Sequence, residues 1–431
     1  MICKKKTELK VWVSFLLIIA LVLSIMFLDV SIYAEEDNSS MKGRFQLLTS
    51  NVGLQSQIPI LIDKVAYEIK RFNDGTGELY YYDFEKEEKA PYTLSNNYDE
   101  ERKIVFDDCV GSISPIAING SIYVVKCGHP ADSYGYPGAP SFFSKIDLNT
   151  GEINTISFSK EECIIEDTAL ATDNKYLYCM TYSVDLSNDT VKNVYLTGVD
   201  LDTLHYEHLV AFDPQEATRI SGVCEKGLVI VRSYLPKDYT GNTVDDLFSS
   251  LVHSLQIIEP LSGEITDPGV SWVNGSLTCA INDGIFYYVK CGEDSLFAVD
   301  LLSGNTTRIT TNLCLTYNSE QSDVYLTGNI VNGYIEYHIV NEEVINCLYN
   351  IAYDKAAEIS LTYKNETMIY NMTIICADND WCLINCGIKN TSVDDVADDG
   401  TIYESIRTDW VYGLISLDDY WESKYDGIKT I

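Results

Sequence analysis

The residues of this 431-residue chain whose types could do chemistry are five histidines, thirteen cysteines and several acidic runs. The histidines His129, His205, His208, His253 and His338 are scattered. His205 and His208 stand three apart at the entrance to a strand-like run, where side chains alternate between faces, so they do not form a helical metal pair. The chain holds no His-Glu-x-x-His, no Gly-x-Ser-x-Gly and no phosphate-binding glycine loop. Residues brought together from distant segments would leave no such signature, so a catalytic set of that kind is not read from sequence order.

Among the cysteines, Cys376, Cys382 and Cys386 form the local cluster, but spacings of six and four without a second pair do not match a zinc ribbon. A cross-strand bridge from Cys376 to Cys382 or Cys386 is the alternative there. Cys127, Cys291 and Cys386 recur at one place, the end of a strand-like run before Gly, with Cys179 in a similar run. Equivalent positions in separate repeats point apart, beyond the short Cα separation a disulfide needs, so these read as small buried hydrophobes. The run Asp394, Asp395, Asp398, Asp399 is the one candidate for Ca²⁺, which takes six or more oxygens. It lacks the alternate spacing of an EF-hand loop, so a solvated acidic loop is the reading adopted and no cofactor is expected.

The elements that must position these residues are repeats. Leu277 to Thr310 reads as four short runs of β-branched and aromatic residues separated by Asn282-Asp283-Gly284, Cys291–Asp294 and Leu302–Asn305. A four-stranded antiparallel meander of about 40 residues that recurs along a chain is the signature of a β-propeller blade. Six longer versions fill the rest, from about residue 59 to residue 431. Third strands end at Asp83, Asp147, Asp200, Glu259, Asp300, Ala352 and Ser416. Seven four-stranded blades are therefore expected, with six and eight as rival counts. The recurrent Asp before a hairpin is read as a turn-stabilising carboxylate, not a metal ligand.

Ahead of the blades, Lys4-Lys5-Lys6 precede an almost unbroken apolar run from Val11 to Leu28. Positive charge before an apolar helix places the downstream chain outside the cytoplasm. Residues 1–34 are read as a signal peptide or a membrane anchor, so any membrane contact would run through residues 11–28 if they are not cleaved. Residues 35–56 read as a linker, although Phe45–Leu48 would also suit a strand that closes the ring, and 57–431 as the propeller. The formal charge is −34. Such a body repels nucleic acid and anionic lipid, and neither is expected as a partner. Hydrophobic residues make up 46% of the chain and Tyr reaches 31 copies, enough for a large core with many half-buried strand aromatics.

Gly284-Ile285-Phe286-Tyr287-Tyr288 with Leu296-Phe297-Ala298-Val299-Asp300-Leu301-Leu302-Ser303-Gly304, and Phe142-Phe143-Ser144-Lys145-Ile146-Asp147-Leu148-Asn149-Thr150-Gly151, resemble the bacterial relatives of the YWTD and quinoprotein-like propellers. The resemblance runs from about Gln57 onward. It implies a disc-shaped, extracellular binding scaffold and carries over no catalytic residue.

The links between second and third strands emerge on one face of such a disc. They look expanded in unit two (Cys127–Ser141), unit four (Tyr234–His253), unit six (Asn329–Asn346) and unit seven (Gly387–Asp409), whereas the opposite turns are tight. Long loops on one face of a rigid scaffold are where binding resides. They carry Tyr134, Tyr136, Tyr234, Tyr239, Asp245 and Asp246, with Trp410 at the exit of the last and Trp272 in a blade-linking segment. Aromatics with carboxylates suit stacking on a sugar or a Tyr-rich protein contact. The expectation is a monomeric, non-enzymatic binding module for a carbohydrate or protein ligand. The alternatives are a propeller enzyme acting on polysaccharide, by lyase or glycosidase chemistry, and the ectodomain of a sensory assembly.

Overall fold

The computed structural model describes residues 44–49 and most of 60–430. The stretches outside that description include 1–43, 50–59, 92–103, 106–112, 129–137, 363–367, 397–401 and 417–428. Among the described residues no helix is long and apolar enough to cross a membrane; the apolar run 11–28 lies outside them.

The chain is an all-β propeller of seven antiparallel sheets. Blade two is a plain example: Ile113–Ile118, Ser121–Lys126, Phe142–Asp147 and Ile153–Ser157 pair in chain order. Blade four is built from Ala217–Cys224, Gly227–Tyr234, Val252–Glu259 and Glu264–Thr266, with Ser271–Val273 pairing the other end of Val252–Glu259. Blade five, the compact repeat, is Leu277–Asn282, Ile285–Lys290, Leu296–Asp300 and Thr306–Thr310. Blade seven's Met368–Ala377 lies against Ile60–Ile62 of blade one, which closes the ring. That seam is packed by Ala66 and Phe84 from blade one against Leu383 and Leu414 from blade seven, and Lys64 lies 4.8 Å over the Trp381 ring.

The recurrent carboxylates do the turn work expected of them. Asp147 Oδ1 accepts the N–H groups of Asn149 and Thr150 at 2.8 and 2.9 Å. Asp200 and Asp300 repeat the arrangement with Thr203 and Ser303. Each turn closes beside a residue with positive φ, Gly151 at 69° and Gly304 at 72°, where a side chain would be strained. In blade three Leu204, at 56°, takes that position.

Three expectations are corrected. Gln46–Thr49 does form a strand, but it pairs with Leu170–Thr172 as an extra inner strand of blade three and also lies beside Ala217–Cys224 of blade four, so it does not close the ring. The cause is Phe45, 2% exposed, which is buried among Ala169, Ala171, Tyr178 and Ile220 between blades three and four. In blade six, Asn329–Asn346 is no loop. Asp323–Val331 and Tyr334–Val340 form a hairpin across Asn332-Gly333, and Cys314 is buried outside any strand. In blade seven the expanded link is a projecting ribbon, Trp381–Val396 paired with Ile402–Ser416. The links of blades two and four stand as expanded connections, and the latter contains a short helix, Val244–Ser250.

Candidate functional site

In blade four the two strands joined by the long link meet at its base. Ser233 and His253 are directly opposed in register, as are Tyr234 and Val252, and Trp272 opposes His253 from the other side. Alternation then places Ser233, His253 and Trp272 on the face turned toward blade five, together with Val231 and Leu255. Ser233 Oγ lies 2.7 Å from His253 Nδ1. The imidazole also hydrogen-bonds the Asn274 side chain. Asn274 is held in place by its own N–H, which donates to the Leu251 carbonyl at 2.8 Å.

Burial holds the His253 imidazole below its ordinary pKa, and the Arg219 guanidinium pushes it further down against the Asn274 bond. His253 is therefore neutral near pH 7, the state in which it accepts a proton. Arg219 is exposed on the first strand of blade four, and its charge also reaches Cys279 on the first strand of blade five. It opposes Val231 and so stands on the face of blade four turned toward blade five. Burial pushes the Cys279 thiol up to about 12, with Arg219 pulling the other way, so this thiol stays protonated and is not a nucleophile at neutral pH. The imidazole has aromatic neighbours: the Trp272 ring centroid lies 5.2 Å from that of His253 and 5.3 Å from that of Phe286.

The structure divides the sequence-derived candidates. Tyr134, Tyr136, Asp398 and Asp399 lie outside the described residues. Tyr234 and Tyr239 are half-buried beside the Ser233–His253 pair and on the link that follows it. The Tyr239 ring passes so close to Gly241 that a Cβ there would meet its hydroxyl at 2.5 Å. Asp245 stands in the first turn of the helix. Asp246 caps that helix reciprocally: its N–H donates to Thr243 Oγ1 at 3.0 Å and its Oδ2 accepts the Thr243 N–H at 3.3 Å.

Trp272 is a correction. It is 9% exposed and packs between blades four and five, because pairing with His253 turns it inward rather than onto a loop face. Trp410 opposes Gly387 in the ribbon of blade seven, which also holds Asp394 and Asp395. Among the described residues, Tyr234, Tyr239, Asp245, Asp246 and Trp272 belong to blade four and its link, and Trp410 belongs to blade seven. Among the described residues no three His, Cys, Asp or Glu side chains come together as a metal set. Of the cysteines, Cys127 and Cys179 are buried as expected, Cys382 is buried too, and Cys291 is exposed, donating to the Gly275 carbonyl.

A second polar cluster lies in blade three on the face turned toward blade two. His208 Nδ1 meets Thr197 Oγ1 at 3.1 Å, Thr197 meets Thr181 at 2.7 Å, and Glu162 Oε1 lies 3.4 Å from His208 Nε2. Both threonines have no exposed surface, so this hydroxyl–imidazole pair has no approach for a substrate.

No family model matches the sequence, and no curated protein matches it. Solved structures do resemble it. A prolyl endopeptidase structure is 12% identical over 85% of this chain, with a TM-score of 0.46, and the chain spans 55% of that protein's length. An oligogalacturonate lyase in complex with manganese is 11% identical over 84% of this chain and 90% of its own, with a TM-score of 0.42. A putative 6-phosphogluconolactonase from Bacteroides fragilis is 12% identical over 81% of this chain and 97% of its own, with a TM-score of 0.39. The likeness is one of fold. The expectation of a non-enzymatic binding module finds no counterpart among them: these three are described as enzymes.

Proposed function

We propose that this chain is a propeller enzyme that hydrolyses an ester carried by a neutral or cationic carbohydrate, at the Ser233–His253 pair of blade four. The observation that carries the reading is the 2.7 Å contact between Ser233 Oγ and His253 Nδ1, with the imidazole held neutral. Ser233 Oγ attacks the acyl carbon while its proton passes to His253 Nδ1. The same proton then goes to the departing alkoxide, which leaves as an alcohol and gives an acyl-serine. Water repeats the sequence: its proton moves to His253, its oxygen bonds the acyl carbon, and Ser233 recovers its proton as the acid departs. Asn274, bonded to the imidazole, fixes the ring plane through both steps. Tyr239, half-buried on the link between the two strands, offers a flat surface for a sugar ring. The charge of −34 disfavours a polyanionic substrate. We place the reaction outside the cytoplasm, on the strength of Lys4-Lys5-Lys6 and the apolar run next to them.

The test is hydrolysis of 4-nitrophenyl acetate and of an acetylated neutral oligosaccharide by the full-length chain, with an active-site phosphonate as covalent label. Ser233→Ala and His253→Ala are each expected to lower kcat by about a hundredfold or more, and the label is expected on Ser233. Activity should fall as pH drops through a midpoint below that of an ordinary imidazole, because only the neutral ring accepts a proton. Unchanged turnover in Ser233→Ala, or label elsewhere, refutes the proposal. A second reading is elimination with the neutral His253 imidazole as the base, which rests on the same lowered pKa. It dispenses with Ser233, so an active Ser233→Ala variant that releases an unsaturated, ultraviolet-absorbing product selects it.

A further inference from the structure

Blade seven continues past its neighbours. Its strands Trp381–Val396 and Ile402–Ser416 stay paired from Trp381 opposite Ser416 out to Val396 opposite Ile402. The strands on either side stop earlier: Met368–Ala377 reaches no further out than Ile369 opposite Ile388, and Lys429–Thr430 pairs Gly413 and Leu414. Among the described residues, no third strand pairs with 389–396 or 402–412. The outer arm therefore presents an edge of eleven residues, Ile-Tyr-Glu-Ser-Ile-Arg-Thr-Asp-Trp-Val-Tyr, from 402 to 412. Proteins ordinarily blunt such an edge by keeping it short, by a Pro or by a bulge. This one is long and has no Pro, and the ribbon's register shift, between Val393 and Asp395, lies on the other arm.

The edge is complementary to itself in one symmetric register. Facing residues lie on the same side of a sheet, so two copies paired antiparallel about a two-fold axis must set one residue opposite itself. An axis on Glu404, Arg407 or Asp409 puts like charges face to face, and an axis on Ser405 or Ile406 leaves every charge facing an uncharged residue. An axis on Thr408 sets Arg407 of each copy opposite Asp409 of the other and Ile406 opposite Trp410, with Thr408 facing Thr408. Opposite charges, an aromatic with a β-branched residue, and Thr with Thr are the cross-strand pairs that favour a sheet.

We propose that the outer arm of this ribbon is a dimerisation edge, to which a second copy of the chain adds its own residues 405–411 antiparallel, with Thr408 on the axis. The proposal is independent of the hydrolytic reading, and it gives Trp410 a place in an interface between copies. The charge of −34 on each body does not forbid the contact, because repulsion is screened beyond about 8 Å at physiological salt, whereas Arg407 and Asp409 would face each other directly.

The experiment is sedimentation velocity of the full-length chain, in a non-ionic detergent that occupies the apolar run 11–28 equally in every sample. The wild type is expected to pass from a 48.4 kDa monomer to a dimer as its concentration rises through about 1–100 µM. Arg407→Asp and Asp409→Arg each set two like-charged pairs across the axis and should each weaken the dimer by about tenfold or more. Mixing the two variants should restore it, since one copy's two carboxylates then face the other's two guanidiniums. The double variant with both charges exchanged should dimerise as the wild type does. Thr408→Cys brings two thiols within disulfide reach and should give an intermolecular crosslink on oxidation, lost when Arg407→Asp is added. A wild type that stays monomeric over that range, single variants as dimeric as the wild type, charge exchange that restores nothing, or no crosslink through Thr408→Cys overturns the proposal.

Discussion

Truncating Phe45 to alanine tests whether the N-terminal strand is an integral part of the propeller. The ring is 2% exposed, its centroid is 6.1 Å from that of Tyr178, and Ala169, Ala171 and Ile220 complete its surroundings. Removing roughly 150–200 Å² of ring surface from water at about 25 cal/mol per Å² stabilises the docked state by about 4–5 kcal/mol. Measured Phe-to-Ala losses in cores are about 3–5 kcal/mol, and alanines lining the hole do little to fill it. The strand behind Phe45 is held by a few backbone pairs, Gln46 with Thr172, Leu47 with Ala171 and Thr49 with Leu170, and by the ion pair from Arg44 to Glu259 at 2.9 Å. Half of Arg44 is exposed, so that pair contributes little. The loss should therefore surface first as undocking of Gln46–Thr49. Hydrogen exchange of the amides in Leu170–Thr172 is the assay, and their protection should fall by about a hundredfold or more, with a lower urea midpoint. A change below about 1 kcal/mol with unaltered exchange at Leu170–Thr172 would refute the placement of this strand.

Two other outcomes are expected. The carboxyls of Asp147, Asp200 and Asp300 lie below their ordinary range, chiefly because the backbone N–H groups of Thr150, Thr203 and Ser303 bond to them. Their contribution to stability is present above the unfolded carboxylate pKa and is lost as pH falls through the lower folded value, so urea midpoints at pH 7 and pH 3 should differ less in an Asp147→Asn, Asp200→Asn, Asp300→Asn triple variant than in the wild type. Gly222→Ala places a Cβ 2.3 Å from Ile281 Cγ2 across the junction of blades four and five. It should cost about 1–3 kcal/mol by overpacking, read from the urea midpoint of the purified variant.

The repeat is legible because each blade is local. Compact blade five, with its Asn282-Asp283-Gly284 and Leu302–Asn305 turns, falls where the residues place it, and the turn carboxylates follow from their position before a hairpin. Blade six is obscured because Cys314 is buried yet belongs to no strand, while Asp323–Val331 and Tyr334–Val340 pair inside a stretch that resembles a loop. The partner of Gln46–Thr49 is hidden since it lies more than a hundred residues away. The site is hidden for a related reason. Ser233 and His253 are twenty residues apart and meet only through strand register. Their one signal is that they flank the two ends of an expanded link, whose own tyrosines and aspartates are far more conspicuous than its base.

Among the described residues every blade draws its strands from one stretch of chain, except that blade three takes Gln46–Thr49 from upstream. Nothing emerging late from the ribosome is needed to complete anything made early, so the disc can be assembled vectorially, each finished blade serving as a template for its successor. Only the last join, of Leu383 and Leu414 onto Ala66 and Phe84, has to wait for the final residues. A chain arrested before that point would be an open crescent with its two apolar ends bare, and those ends are where quality control would find it.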